Sequence, residues 1–195
     1  MNVEIKKLTP KLVEDYLHFF DVTPHDDRID EHKCYCVCWC SADHRLETDY
    51  SSVQKRRELA RHYVDSGMIQ GYLAYQDGKM VGWCNANTKS ECLNCLCWLR
   101  YMQAFNSDVP APKIKSVFCF VIAPEMQRTG IATKLLGRVC ADATNDGFDF
   151  VESYPNKDFI NTADDFMGPA TMYEKLGFSV LKEANNKMVM RKQLK

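Results

Sequence analysis

The chain has 195 residues, of which 46% are hydrophobic and 26% are charged, and its formal net charge is −1 at pH 7. These values are typical of one globular domain with its own core, here spanning 1–195. The near-zero charge excludes the basic surface of a nucleic-acid-binding protein, and no apolar run is long enough to cross a membrane. Because the N-terminus lacks the pattern of a signal peptide, we expect a cytoplasmic protein. We also expect a monomer or homodimer, without nucleic-acid or membrane partners.

The first third of the chain predicts one strand and two helices. Residues 3–8 form a short apolar strand, and Pro10 suits the first turn of a helix over 11–20, whose apolar residues recur at helical spacing. A second helix is expected over 52–67, where Gly67 is a stop signal. The segment between these helices, about 21–49, is predicted to be irregular.

A β-hairpin is predicted over residues 71–86. Two apolar runs flank Asp77 and Gly78, and a tight two-residue hairpin turn favours this dipeptide because both central residues need positive φ. A second irregular stretch follows, at about 87–114.

Residues 116–143 change from a buried strand into an amphipathic helix that ends at Gly147. The turn between them has small residues, Gly130 and Ala132, which predicts that something approaches the backbone there. The first amides of a helix are unpaired and lie at the positive end of its dipole, so they can bind a phosphate if no side chain blocks it. From the residues alone, an ordinary strand-to-helix turn is an equally good interpretation.

The last third predicts a strand over 148–155, a polar loop, a short helix over 170–177, and two strands over 178–183 and 187–194. Helices and strands alternate, but at least two strand pairs are hairpins. The sheet must therefore be mixed.

This order of elements, together with two motifs, resembles the GCN5-related N-acetyltransferase (GNAT) superfamily. Gln127, Gly130 and Ala132 match the family's Gln/Arg-x-x-Gly-x-Gly/Ala turn, and residues 173–178 match its Tyr-Glu-Lys-Leu-Gly-Phe motif. The resemblance implies an α+β fold with a central mixed, mostly antiparallel twisted sheet flanked by helices. It also implies acetyl-CoA as co-substrate.

The resemblance further implies where acetyl-CoA binds. The pyrophosphate is expected on the turn and first helical residues, and the thioester carbonyl on backbone amides of Phe120 and Val121, freed by a bulge in that strand. The implied residues of the turn are Gln127, Arg128, Thr129, Gly130, Ile131, Ala132 and Thr133.

Two catalytic residues are predicted. Tyr173 matches the family's general-acid tyrosine, although a buried structural tyrosine is a competing interpretation. Glu152 is the best-placed carboxylate for a general base; it could equally be a surface residue or a group that reads substrate charge. Many family members have Asn where this chain has Met167, and Asn156 or Asn161 could replace it.

The cysteines form two clusters that indicate no clear metal site. Cys34, Cys36, Cys38 and Cys40 alternate, so in a strand all four thiols would share one face. A zinc site usually has two ligand pairs at defined spacing, and only the Cys92–Cys95 pair has that form. We therefore predict no metal ligands, and packing as small apolar residues is the simplest alternative. Other proteins similar to the chain share a Cys-Tyr-Cys start, which suggests a subfamily with this N-terminal insertion.

Three insertions, at about 21–49, 87–114 and 155–168, fall where related acetyltransferases build the acceptor pocket. We expect aromatic walls there, from Tyr35, Trp39, Trp83 and Tyr154. Long insertions that can close over a pocket favour a small-molecule primary amine, acetylated by direct transfer in a ternary complex. The alternatives are a protein or peptide N-acetyltransferase, and a CoA- or zinc-binding sensor without catalytic activity.

Overall fold

The computed structural model describes residues 2–45, 48–105 and 113–195, and within them a seven-stranded sheet forms the centre of the molecule. The strands lie in the order β1-β2-β3-β4-β5-β7-β6. Only β4 and β5 are parallel among the described neighbours. The strands are β1 (Val3–Lys7), β2 (Gly71–Gln76), β3 (Lys79–Thr88), β4 (Ile114–Ile122), β5 (Phe150–Ser153), β6 (Ser179–Ala184) and β7 (Lys187–Gln193). The predicted mixed, mostly antiparallel sheet is confirmed.

Five α-helices of the described chain flank this sheet, and α4 is the longest of them. Its buried residues, Leu135, Leu136 and Val139 among them, recur at helical spacing and pack it against β2, β3 and β4. None of the described helices is long and apolar enough to span a bilayer. The helices are α1 (Val13–Val22), α2 (Val53–Asp65), α3 (Leu96–Tyr101), α4 (Ile131–Asn145) and α5 (Ala170–Glu174).

The predicted hairpin is confirmed by its turn. Asp77 and Gly78 have φ of 51° and 78°, and they join β2 to β3. Such a turn twists in the same sense as the strands that it connects, which is why this dipeptide selects it.

The predicted bulge is present in β4. Asn85 of β3 pairs with Cys119, and the next residue, Ala86, pairs with Val117, so Phe118 is one residue more than β3 can match. β5 pairs with β4 only as far as Val117. Beyond the bulge, the outer half of β4 has no strand beside it on the β5 side.

Residues 34–40 do not form a strand, in agreement with the irregular structure predicted for 21–49, so the four thiols do not line up on one strand face. This stretch consists of turns, and Tyr35 and Cys36 adopt left-handed φ of 47° and 52°. We call residues 33–41 the cysteine loop. Hydrogen bonds hold it to the core; among them, Tyr16 Oη donates to the Tyr35 carbonyl at 2.7 Å, and Asn85 Nδ2 donates to the Trp39 carbonyl at 2.7 Å.

The stretch 87–114, predicted to be irregular, contains a helix. Cys95 begins α3, because its sulfur accepts a hydrogen bond from the Trp98 amide at 3.4 Å. This helix cap accounts for the Cys92–Cys95 spacing. Residues 106–112, which belong to the same predicted insertion, lie outside the described residues.

Candidate active site

A cavity of about 540 Å³ lies against the outer half of β4. Cys119, Phe120 and Val121 form its β4 side. The other walls come from the segment after α1, from the cysteine loop, from two residues of α3 and from residues 155–168, which we call the 155–168 loop. Each of the three insertions singled out in the sequence therefore supplies lining residues.

Five of the ten cysteines line this cavity, all of them as free thiols: Cys34, Cys36, Cys38, Cys97 and Cys119. The Cys97 thiol and Cys38 are hydrogen-bonded, which lowers the pKa of Cys38 and raises that of Cys97. Burial and contacts with one another raise the pKa of most of the others, so they are neutral near pH 7. The turns of the cysteine loop, rather than a strand, direct these thiols into one cavity.

Charged side chains of both signs also line the cavity. Asp26 and Asp164 supply carboxylates, and Lys33 and Lys187 supply ammonium groups. Both lysines are already engaged: Lys33 Nζ donates to the Asp21 carbonyl at 2.8 Å, and Lys187 Nζ donates to Asn156 Oδ1 at 2.9 Å. Burial lowers the pKa of Lys187.

The turn before α4 is exposed and offers unpaired amides. Gly130 is the residue that caps α4, at φ 86°, a conformation that a side chain disfavours. A Cβ placed there would meet nothing within 4 Å, so the space in front of the helix is open. In a helix each amide donates to the carbonyl four residues earlier, and for Ile131, Ala132 and Thr133 that carbonyl lies before the helix. Within the described part of the chain, these three amides have no hydrogen-bond acceptor.

The other residues of this turn are exposed or partly exposed. Gln127, Arg128 and Thr129 precede the cap, and Arg128 has a positive φ of 61°. Thr129 Oγ1 donates to the Met126 carbonyl at 2.6 Å, which fixes the approach to the helix. The chemistry of this donor set fits a diphosphate, because oriented amides and the helix dipole favour an anion there.

Phe120 and Val121, whose amides are predicted to bind the thioester carbonyl, line the cavity, but these amides are not both free. The Phe120 amide donates to the Phe166 carbonyl of the 155–168 loop at 2.8 Å. Since the Ala123 amide donates to Val81 of β3, strand alternation turns the Val121 amide towards β3 as well. The 155–168 loop therefore occupies the gap that β5 leaves beside β4.

Tyr173 is fully buried, and its hydroxyl sits between two protein groups. Ser153 Oγ donates to Tyr173 Oη at 2.6 Å, and Tyr173 Oη donates to the Met167 carbonyl at 2.5 Å. Burial raises the pKa of Tyr173 well above its usual range, so the phenol keeps its proton. The hydroxyl lies at the end of β5, next to the gap, and its proton is held by the 155–168 loop.

Glu152 is placed unfavourably for the predicted role of general base. It is fully buried and does not line the cavity. Lys89 Nζ lies 2.7 Å from its Oε2, Arg191 Nε lies 2.7 Å from its Oε1, and Tyr154 Oη donates to Oε2 at 3.0 Å. Both carboxylate oxygens are thus engaged by protein groups, and neither faces the cavity. In this structure Glu152 joins β5, β7 and the start of the 87–114 insertion, and its role as a general base stays a prediction.

Of the four aromatic residues predicted to wall the acceptor pocket, Trp39 lines the cavity, and Tyr35, Trp83 and Tyr154 do not. Tyr35 packs on Phe20 in the core, and its hydroxyl donates to Asp21 Oδ1 at 2.8 Å. The remaining two side chains are also fully buried. The left-handed turns of the cysteine loop direct Tyr35 into the core. Trp83 is directed there by its position in β3, and Tyr154 by its position directly after β5.

Met167, at the place of the family's Asn, is buried and contributes only its carbonyl to the Tyr173 hydrogen bond. Asn156 lines the cavity, where its amide binds Asp165 and Lys187. Asn161 hydrogen-bonds Asp164 inside the 155–168 loop. Of the two asparagines, Asn156 is therefore the one at the cavity.

Sequence reasoning missed several residues that shape the site. Phe118, the bulged residue, stacks between Trp39 and Tyr154, with ring centroids 4.8 and 5.9 Å apart. Asn85, which anchors the cysteine loop, is a fully buried polar residue in an apolar strand. A polar residue at such a position in the sequence indicates a hydrogen-bonding role. Asp26 had no such signal, because it lies in a segment without periodicity.

Comparison with known proteins adds a family and a fold. The family model described as "Acetyltransferase (GNAT) family" matches residues 12–178. No curated protein sequence matches the chain. Among solved structures, the chain is similar to the PaiA N-acetyltransferase of Thermoplasma acidophilum in complex with coenzyme A, with 16% identity, a TM-score of 0.57 and 99% of each chain covered.

Two further structures show the same fold. The polyamine N-acetyltransferase of Drosophila melanogaster, which catalyses the formation of N-acetylagmatine, has a TM-score of 0.60 and 10% identity, over 99% of this chain and 100% of that one. A GNAT-family acetyltransferase of Streptococcus pneumoniae has a TM-score of 0.55 and 15% identity, with both chains fully covered.

Proposed function

The chain belongs to the acetyltransferase (GNAT) family, and from that premise we propose that it transfers an acetyl group from acetyl-CoA to a primary amine of a small molecule, by direct transfer in a ternary complex. The names of two structural neighbours support both substrates: one was crystallised with coenzyme A, and another acetylates agmatine. The observation that carries the proposal is the cavity of about 540 Å³ that adjoins β4 beyond its bulge.

On the coenzyme side, the residues that would hold acetyl-CoA are those at the start of α4. The unpaired amides of Ile131, Ala132 and Thr133 would bind the diphosphate, and Gly130 would leave it room. Gln127, Arg128 and Thr129 border the same open space. When bound, acetyl-CoA supplies the activated acetyl group; the chain supplies its position.

The gap between β4 and β5 would take the arm of the coenzyme that carries the thioester. For this, the 155–168 loop has to release the Phe120 amide, which now bonds the Phe166 carbonyl. The freed amide would then polarise the thioester carbonyl. The same movement frees the Tyr173 hydroxyl from Met167, so that it can give its proton to the departing thiolate.

On the acceptor side, the cavity has the size of a small-molecule site, for which volumes of roughly 300–1,000 Å³ are common. Its walls come from three separate insertions, whereas a protein tail needs an open groove. Asp26 and Asp164 would attract a cationic amine and, directly or through water, accept the proton that the amine loses before it attacks. We assign that step to them rather than to Glu152.

A panel of amines tests this proposal. The purified chain is incubated with acetyl-CoA and one amine at a time: diamines and agmatine-like amines, amino acids, aromatic amines, and peptides with free N-termini. Because all ten cysteines are free, reagents that detect released thiol also react with the protein. Mass spectrometry of the acetylated product is therefore the readout, and calorimetry with CoA alone measures coenzyme binding.

We expect CoA binding and turnover of at least one small amine, with little or no acetylation of peptides. Turnover of peptides alone would show that the acceptor is a protein. Binding of CoA without turnover of any amine would favour a sensor, and absence of CoA binding would overturn the proposal as a whole.

A further inference from the structure

A group of three side chains outside the predicted site has the composition of a metal centre. His25, Asp27 and His32 each offer one ligand atom, and these atoms all lie within 4.8 Å of one another. Among the described residues, no other set of three His, Cys, Asp or Glu side chains meets this distance. We infer that these three residues bind a divalent transition-metal ion of the zinc class at the rim of the cavity.

The distances show that the three groups converge. His25 Nδ1 lies 2.6 Å from Asp27 Oδ1, and His32 Nδ1 lies 2.6 Å from Asp27 Oδ2. Ligand atoms around a tetrahedral zinc ion are roughly 3.3 Å apart, given bonds of about 2.0–2.1 Å. Each imidazole therefore has to move away from the carboxylate by less than about 1 Å. The three ligand atoms already lie within 4.8 Å of one another, and all three side chains are partly exposed and can adjust.

The backbone that carries the group is fixed on both sides. The Ile29 amide donates to Asp27 Oδ1 at 2.9 Å, and the Arg56 guanidinium of α2 donates to the carbonyls of Glu31 and Lys33. The segment is thus held in place by contacts that do not use the ligand atoms of the two histidines. Such a supporting set of contacts is what a metal site needs around its ligands.

The ligand chemistry selects the kind of ion. Two imidazole nitrogens and one carboxylate oxygen suit zinc, iron, nickel or copper, whereas magnesium and calcium prefer oxygen ligands alone.

The position of the group gives the ion access to the cavity. His25 lines the cavity, next to Asp26, and His32 is 56% exposed at its side chain, which leaves a path to solvent. Three protein ligands leave the fourth tetrahedral position open. The site does not use the cysteines, which the sequence presents as the more obvious metal ligands.

The test is metal binding by the whole chain, without any acceptor or coenzyme. The apo protein is titrated with Zn²⁺ in competition with a chelator of known affinity, and with Co²⁺ in an absorption spectrometer. We expect one ion per chain and a Co²⁺ spectrum without the intense near-ultraviolet sulfur-to-cobalt charge-transfer band that thiolate ligands produce.

Variants assign the ligands. His32→Gln and Asp27→Asn should each weaken Zn²⁺ binding by at least the about tenfold that loss of an outer partner costs a metal site. His62→Gln, which removes an exposed imidazole on α2 outside the group, should leave the affinity unchanged, as should Cys38→Ser. Absence of Zn²⁺ binding, affinity that survives both ligand variants, or a thiolate band that Cys38→Ser removes would each overturn the inference. Because coenzyme binding is not measured, failure here leaves the proposed acetyl transfer standing.

Discussion

The hydroxyl of Tyr173 is hydrogen-bonded to Ser153 and Met167. Its removal should therefore affect both stability and, if it protonates the thiolate, turnover. Tyr173→Phe should lower kcat by about 10²-fold, the low end of what a general acid contributes, because a thiolate leaves readily. CoA binding should change little. Loss of the buried hydroxyl should also lower the free energy of unfolding by about 1–3 kcal/mol.

Tyr154→Phe is the matched control for this experiment. Neither tyrosine lines the cavity and both are fully buried, but the Tyr154 hydroxyl is bound to Ser116 and Glu152 rather than to the 155–168 loop. The variant should lose similar stability and keep its turnover. Equal kcat values for the two variants and the unchanged chain would mean that Tyr173 only supports the fold.

Glu152 is predicted to be catalytic from its residue type and position, but its ion pairs with Lys89 and Arg191 indicate a role in stability. Glu152→Gln should destabilise the protein, because it leaves Lys89 and Arg191 without the carboxylate that neutralises them. Breaking a buried pair costs about 3–5 kcal/mol, and partial exposure of the two cations reduces this figure. Urea unfolding measures the loss.

The comparison variant is Glu183→Gln, whose carboxylate pairs with Lys157 at the surface. Exposed pairs contribute about 0–1 kcal/mol, so this variant should unfold almost like the unchanged chain. If Glu152→Gln were equally stable but without turnover, the original assignment as a base would return.

At the scale of the element, the two glycines at the ends of α4 allow an effect on diphosphate binding to be distinguished from an effect of backbone strain. Gly130 and Gly147 lie at opposite ends of this helix, with φ of 86° and 74°, and a Cβ at either would meet nothing within 4 Å. Alanine at either position should therefore cost a similar 1–2 kcal/mol of stability, roughly the penalty for a left-handed side chain.

Only one of these substitutions should affect the coenzyme. Gly130→Ala puts a methyl group in front of the free amides and should weaken CoA binding by at least about tenfold, which corresponds to ~1.4 kcal/mol. Gly147→Ala should leave CoA affinity unchanged in the same calorimetric titration. Equal affinities in the two variants would show that the diphosphate binds elsewhere.

Elements with strong local signals were predictable, and those fixed by distant contacts were not. The period of α4, the Asp77-Gly78 turn and the glycine before α4 each act within a few residues, so they could be read directly. The cysteine loop alternates like a strand, but Asn85 and Tyr16 hold its backbone in turns from elsewhere in the sequence.

The same distinction applies to the candidate site. The residues of the turn that is predicted to bind the coenzyme, 127–133, are consecutive, and they lie together at the start of α4. The cavity, in contrast, is assembled from four separate segments. β4 and β5 part at Val117, before the half of β4 that borders the cavity, and Glu152 and Tyr154 do not line it.

For the whole molecule, the number of buried thiols predicts sensitivity to alkali. Burial or neighbouring thiols raise the pKa of nine of the ten cysteines above that of the unfolded chain, to about 12 for Cys40 and about 11 for Cys140. The native state then binds more protons than the unfolded state above a pH of about 8.5. Its stability is complete below that pH and decreases as the pH rises towards the folded pKa values.

The magnitude is measurable. About 1.5 pH units above the unfolded pKa, the Cys40 and Cys140 thiols have each lost about 2 kcal/mol of their contribution to stability. Lys115, whose pKa burial lowers to about 8, opposes this trend, as do Lys187 and Cys38, whose pKa values are also lowered. Urea unfolding in a reducing buffer, near pH 7 and near pH 10, should show a large fall in the free energy of unfolding.

Cys140→Ala removes one of these thiols from α4, away from the cavity. This variant should lose about 2 kcal/mol less than the unchanged chain between the two pH values. A free energy of unfolding that is the same at both pH values would contradict the proposed origin of the effect.

The bulged residue Phe118 decides which face of β4 each of the following side chains occupies. Side chains of a strand alternate between its two faces, so adding one residue reverses the phase of everything that follows. Without Phe118, Cys119 to Val121 would exchange faces relative to Ile114 to Val117, and the ring that separates Trp39 from Tyr154 would be gone. A one-residue deletion here would thus rearrange the wall of the cavity while leaving every hydrophobic residue of the strand hydrophobic. In this segment the count of residues, more than their polarity, sets the shape of the binding surface.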